Sequence, residues 1–307
     1  MPEIKIGQYG EDVINWLTDN LEGFFDWLTT LLSHLLRFTY DIVAGLQPIP
    51  MTVVFAVIAL VITRKVGLTV LLTVGLLLVD GMGLWYETMQ SLATVLLATA
   101  VALLIGIPVG IWAAFNPVVR AVVGPVLDFM QTVPTFVYLL PTVLFFGIGA
   151  VPGMIATIVF AAPPAVRLTT LGIRQVDAET VEASAAFGGS RWEILREVQL
   201  PLARPSIMAG VNQVIMLALS MVVVAGLVGG EGLGGIVVSA VQSLQIGASI
   251  EGGLAVVVLA IYLDRVSAAL GGQGRGNPSW WPKRKATEGL EQAQVKPAES
   301  KDLVAAS

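Results

Sequence analysis

The chain has 307 residues, of which 55% are apolar and 13% charged, with a mean hydropathy of +0.81 and a formal net charge of −5. Soluble domains carry about 25% charged residues, so this composition excludes a water-soluble enzyme, and the lack of a basic excess excludes a nucleic-acid binder. Cysteine is absent and His34 is the only histidine, which rules out disulfides, thiol redox chemistry and Cys/His metal sites, so no metal-ligating set is assigned.

The first stretch, up to Val13, holds one Lys and no short apolar core before a cleavage site, and is not read as a signal peptide. Between Val13 and Ile42, apolar residues recur in steps of three and four (Val13, Leu17, Leu21, Phe24, Leu28, Leu31, Leu35, Phe38, Ile42), which predicts one apolar helical face. Asp12, Asp19, Glu22, Asp26, Ser33 and Arg37 occupy the opposite face, with His34 as a further polar-face residue. Such a helix lies along a membrane surface rather than crossing it. Its acids disfavour anionic lipid, so the apolar face is expected to pack on other helices of the same assembly.

Uncharged runs then place spans near 46–64, 66–85, 88–114, 126–147, 152–170, 205–228 and 252–269, seven crossings of about 20 residues each. The uncharged run from Phe129 to Val166 is too long for one helix, and Gly147-Ile-Gly-Ala-Val-Pro-Gly153 divides it. Residues 232–250 are long enough to cross, but their Gly, Ser and Gln content favours a re-entrant or surface segment. Asp80 and Asp264 fall near span ends and read as interfacial anchors. With the N-terminus outside and the C-terminus inside, fifteen of the 17 Lys and Arg residues fall on the cytoplasmic side, leaving Lys5 and Arg37 outside. The fold class is therefore all-α, a polytopic transmembrane bundle. An external amphipathic helix (1–45) precedes the membrane domain (46–270). A solvated cytoplasmic tail (271–307) follows, with Trp280 and Trp281 ahead of a basic run.

Gly230-Glu-Gly-Leu-Gly-Gly235 fits the GxGxxG pattern, but it follows a span instead of a strand, so it reads as a turn and not as a nucleotide loop. Gly106-Ile-Pro-Val-Gly110 is a GxxxG that lets helices approach closely. No Gly-Lys dipeptide occurs, hence no phosphate-binding GxxxxGK[ST] loop, and no charge is stranded in mid-span. Uphill transport by this chain needs energy from a partner. The largest cytoplasmic segment, 167–204, is where one can dock. Asp177 caps a first short helix, Gly188-Gly189 ends it, Ser190-Arg-Trp-Glu193 is a capping box for a second, and Leu200-Pro201 is expected to end that one.

Glu182-Ala183-Ser184, three residues, Gly188, nine residues and Val198-Gln199-Leu200-Pro201 resemble the EAA loop of ABC importer permeases, with Ser184 for Ala and Val198 for Ile. Leu127-Asp-Phe-Met-Gln-Thr-Val-Pro134, Ile173-Arg-Gln-Val176, Ile207-Met-Ala-Gly-Val-Asn-Gln213 and Leu217-Ala-Leu-Ser-Met-Val222 are similar to the glycine betaine/proline betaine permeases of osmoprotectant uptake systems. The helix before the first span resembles the scaffold helix of that group.

The resemblance implies a non-catalytic permease of the cytoplasmic (inner) membrane. It pairs with a second copy of itself, with two copies of an ABC ATPase that uses ATP and Mg, and with an external substrate-binding protein. Glu182, Ala183, Ser184, Gly188, Val198, Leu200 and Pro201 would couple hydrolysis to alternating access, and this chain would bind no cofactor. For the solute path, Gln131, Asn212, Gln213 and Ser220 are neutral polar groups in or beside spans, and Phe136 and Tyr138 offer π faces to a methylammonium group; helix-to-helix hydrogen bonding is the competing role of the amides. The other reading is a secondary carrier or channel for small zwitterions.

Overall fold

A computed structural model describes residues 6–271, all of them in helices and short connections. Residues 272–307, with Trp280, Trp281 and the basic run, lie outside the described part. The chain opens with α1 (Ile6–Ala44), which continues into α2 (Pro48–Thr63) through a 91° bend, and α3 (Val66–Gly81) follows. Both α2 and α3 have 16 residues, about 24 Å against a hydrocarbon core of about 30 Å. Three longer helices, α4 (Trp85–Phe115), α7 (Ala150–Arg174) and α12 (Ile246–Leu270), have the length and apolarity of a full crossing. A fourth such helix, Arg191–Gly226, comprises α9 (Arg191–Glu193), a π-helical segment (Ile194–Gln199) and α10 (Leu200–Gly226). The remaining helices are α5 (Pro117–Thr132), α6 (Thr135–Phe146), α8 (Ala178–Ala186) and α11 (Leu233–Gln242). The seven expected crossings thus resolve into four full-length helices, two shorter ones and one broken pair.

That broken pair corrects the expected single helix over 126–147. α5 and α6 meet at 98° across Val133-Pro134. Pro134 has no N–H to donate and drives Val133 to an extended conformation (φ −69°, ψ 129°), so the helix stops there. The hydroxyl of Tyr138 donates back to the Met130 carbonyl at 2.6 Å and holds the corner. A second correction concerns Leu200-Pro201, which does not end the second loop helix. In the π segment the N–H of Leu200 reaches the carbonyl of Leu195, five residues back, and this wider turn makes room for the Pro201 ring, which would otherwise strike the carbonyl four residues before it. The helix runs on unbroken into α10.

The centre of the bundle is α7, which packs along both α4 and α10. Gly106 and Gly110 set the α4–α7 approach: a Cβ at Gly106 would meet that of Ala165 at 2.6 Å, and one at Gly110 would meet the Val166 carbonyl oxygen at 2.7 Å. The Thr170 hydroxyl donates to the Gly110 carbonyl at 2.9 Å across the same crossing. The GxxxG therefore does the packing expected of it. On the other side of α7, Gly153 faces Ala225 and Gly172 faces Ser206 at similarly close range.

α1 packs on α4, α6 and α7, but only one edge of the expected apolar face takes part, through Leu28. Leu32 and Val43 are buried, Leu28 and Leu36 pack against the core, and Phe25 stacks on Phe145 with ring centroids 4.6 Å apart. Phe24, Leu31, Leu35, Phe38 and Ile42, from the face expected to pack, are exposed. The helix carries two adjacent apolar stripes, and hydrophobic periodicity marks both without saying which meets protein. His34 is exposed, as expected.

Candidate functional site

Within the 167–204 segment α7 continues to Arg174, and α8 and a glycine turn follow before the long second helix begins at Arg191. The Asp177 carboxylate accepts the N–H of Glu179 at 3.1 Å and caps α8. Nothing in α8 is buried: Glu182 and Ala183 are exposed and Ser184 is half-buried. The helix closes with Phe187 N–H donating to the Ala183 carbonyl, and Gly188 (φ +91°) donating to that of Ala185. A φ of this sign favours glycine, which explains the residue type at the turn. The capping box is present in full, Ser190 N–H donating to the Glu193 carboxylate at 2.7 Å and Glu193 N–H to the Ser190 hydroxyl at 3.3 Å. These bonds hold the Glu193 carboxyl below its ordinary pKa, the backbone N–H of Ser190 having the larger influence and its hydroxyl the smaller.

The loop is anchored at one side only. Ile194 and Leu195 are buried, and Leu195 packs with Ile173 of α7 and Ala203 of α10, with Leu200 alongside. Val198 is half-buried and Pro201 exposed. Of the seven residues expected at the loop, Glu182, Ala183 and Ser184 fall on α8, Gly188 on the glycine turn, Val198 on the π segment and Leu200 and Pro201 on the first turn of α10, so that α8 and the glycine turn stand clear of the bundle while the π segment is seated on it. Phe187, at 94% exposure, and Trp192, at 66%, stand uncovered beside the turn. Sequence reading passed over both. A large aromatic beside a Gly-Gly turn in a polar loop is the signal that marks them, because such side chains are left bare where another surface covers them.

The residues proposed for the solute path do not converge on one enclosed cavity in the single chain. Gln213 and Ser220, seven residues apart, lie on one exposed stripe of α10 with Met216 and Leu227. Asn212 points elsewhere and accepts a hydrogen bond from Ser267 of α12 at 2.5 Å. Phe136 is exposed, Gln131 is half-buried, and Tyr138 ties the α5–α6 corner.

At the end opposite the loop, the 147–149 and 227–232 connections are knit together by Gly149 N–H to the Val228 carbonyl at 3.0 Å. The GxGxxG residues serve backbone contact here: a Cβ at Gly234 would meet the Val222 carbonyl oxygen at 2.0 Å, and Leu233 N–H donates to the buried Ser91 hydroxyl at 2.8 Å. The short α11 is seated by this turn on α10 and α12, in keeping with the expectation of a segment other than a span. Between these connections and α1 lies a cavity of about 440 Å³, lined among others by Arg37, Tyr40, Gln90 and Glu231. Gln90 donates to the Glu231 carboxylate at 2.9 Å.

Residues 106–271 match the family model described as binding-protein-dependent transport system inner membrane component. The glycine betaine transport system permease protein OpuAB of Bacillus subtilis is 45% identical over 270 residues, 87% of this chain and 94% of its own length. The glycine betaine/proline betaine transport system permease protein ProW of Escherichia coli is 42% identical over 280 residues, 91% of this chain and 79% of its own. Among solved structures, the MetNI methionine ABC transporter in an inward-facing conformation aligns with a TM-score of 0.55 over 63% of this chain and 96% of that chain, at 21% identity, a likeness of fold.

Proposed function

Because the chain belongs to the binding-protein-dependent inner-membrane transport components, we propose that it is the permease of an ATP-driven importer for glycine betaine and related quaternary ammonium solutes. Its own role is non-catalytic, and ATP with Mg is used by a partner ATPase. The observation that carries this reading is the capped, glycine-turned loop with α8, Phe187 and Trp192 uncovered and only Ile194 and Leu195 buried. Short helices held by caps move as rigid pieces, so a push on α8 passes through the π segment into α10, which is continuous with it.

In this reading the N-terminus is outside and the C-terminus inside, which sets the loop in the cytoplasm against one ATPase of a pair. The opposite end, with Arg37 and Glu231, then meets an external binding protein. A second copy of the chain covers the α10 stripe of Gln213 and Ser220, since bare polar side chains along a span are costly against lipid. Gln131, Phe136 and Tyr138 on the α5–α6 corner face the path from the other side, and a neutral lining suits a zwitterion that must leave again. Asn212 serves the α10–α12 contact.

The test is to purify the tagged chain from its native membrane in mild detergent and assay co-purifying ATP hydrolysis with and without glycine betaine and the binding protein. Hydrolysis stimulated by both is the expected result. Hydrolysis that ignores betaine keeps the importer and removes the solute assignment, and no associated ATPase in several mild detergents returns the chain to the carrier or channel reading.

A further inference from the structure

Three arginines from two helices line one cavity at the loop end of the bundle. Arg120 comes from α5, and Arg167 and Arg174 come from α7, around a space of about 340 Å³ floored by Ala113, Leu127 and Val166. One carboxylate, Asp128, lines the same space, and it is engaged by Arg167. Among the described residues, Arg120 and Arg174 have no carboxylate at ion-pair distance. Arg120 gives one guanidinium N–H to the Ala113 carbonyl, at 3.4 Å, and keeps its other donors. Guanidinium groups gathered over an apolar floor repel one another unless an anion joins them, and their planar forks match phosphate oxygens in pairs.

The depth of the cavity points to where that anion resides. Ala113 lies 28 residues beyond Trp85 along α4, about 42 Å at 1.5 Å per residue, whereas the hydrocarbon core is about 30 Å thick. A helix that starts at one membrane surface therefore reaches headgroup level at Ala113. Nearby, Trp112, Val118 and Val122 are each more than 60% exposed and give acyl chains an apolar surface beside the arginines.

We propose that this cavity binds a phosphate-bearing anion, supplied by the headgroup of an anionic phospholipid in the cytoplasmic leaflet. The chemistry recognised is the phosphate group, and free phosphate is the other source that presents it. Neither the solute nor the ATPase enters this assignment.

The experiment uses the full-length chain with whatever subunits accompany it, in nanodiscs of phosphatidylcholine with and without phosphatidylglycerol, and counts retained lipid by native mass spectrometry. Wild type is expected to retain phosphatidylglycerol, and the double variant Arg120→Gln/Arg174→Gln to lower its occupancy about tenfold. Gly124→Leu separates loss of the site from loss of the fold: Gly124 lines the cavity, and a Cβ added there meets nothing within 4 Å. The leucine starts from open space beside the cavity and is expected to crowd the anion out while leaving a melting temperature no lower than that of wild type. If millimolar inorganic phosphate displaces the lipid from wild type, or binds wild type and neither variant, the site stands with free phosphate as a source. Equal lipid and phosphate binding by wild type and both variants overturns the proposal. So does a wild type that holds neither phosphatidylglycerol nor phosphate.

Discussion

In the α4–α7–α10 core, glycines mark the places where helices touch, and a methyl group at Gly106 or Gly110 would overlap Ala165 or Val166. In the loop between α7 and α10, Gly188 has nothing within 4 Å of where its Cβ would be and is set by its φ of +91° instead. One residue type thus serves two physical ends, close approach in the first region and chain reversal in the second. The core is stabilised by contact on every side, whereas the loop is held by its own caps and by two buried side chains, Ile194 and Leu195. A change in the core should therefore reach the whole fold, and a change in the loop should reach only what docks there.

The largest effect is expected for Gly110→Leu. The added side chain meets a carbonyl oxygen at 2.7 Å and Thr169 beside it, so α4 and α7 must separate, at a cost of about 3 kcal/mol or more. The measurement is the yield and melting temperature of monodisperse protein after detergent extraction, and wild-type values for both would break the contrast between the regions. Deleting Glu182–Gly188 is the complementary test. The deleted stretch includes no buried residue, so the melting temperature is expected to stay within about 2 °C while co-purifying ATPase and betaine uptake fall at least tenfold. Uptake that survives the deletion would refute coupling through α8.

Between these extremes stands Gln213, exposed on α10 within a span. Gln213→Ala should lower uptake about fivefold, worth roughly 1 kcal/mol, with assembly unchanged by size-exclusion chromatography. Wild-type uptake would remove this residue from the path. A smaller effect is expected from pH at the capping box. The carboxyl of Glu193 titrates below its ordinary value of 4.5 because the Ser190 N–H and hydroxyl favour its charged form. Its stabilising influence is thus full above that ordinary value and is lost as pH falls through the lower, folded one. Amide exchange at Ser190 should accelerate in that acid range relative to a Glu193→Gln variant, which has no carboxyl to titrate. Parallel profiles for the two proteins would show that the box does not hold the turn.

The loop was the most legible part of the molecule from sequence, because caps and left-handed turns are written in single residues: Asp177, Gly188, Ser190 and Glu193 each act within four positions of themselves. Membrane helices were legible as apolar runs, and the Gly106–Gly110 pair as a crossing. What periodicity hides is long-range choice. It located apolar stripes on α1 without showing that Phe25 and Leu32 meet the bundle while Phe24 and Leu31 do not. Two prolines were read the wrong way round: the expected span ran through Pro134, which stops a helix, and the expected stop at Pro201 lies inside a continuous one because the π segment before it widens the turn. The proposed path residues depend on surfaces that a single chain leaves open.

The smallest expected effect returns to the core and sharpens what holds it. Thr169 is buried between α4 and α7, and its hydroxyl has no hydrogen-bond partner although its methyl carbon lies near Gly110. Valine has the same shape and no group to desolvate, so Thr169→Val should keep the contact and remove a cost of about 1 kcal/mol. A melting temperature higher by about 2 °C is the expected outcome. If stability falls instead, the hydroxyl takes part in the α4–α7 crossing after all, and the core is held by polar bonds as well as by close approach. The bond from Thr170 to the Gly110 carbonyl, one residue away, would then belong to a larger polar seam, and Thr170→Val should destabilise in step with it.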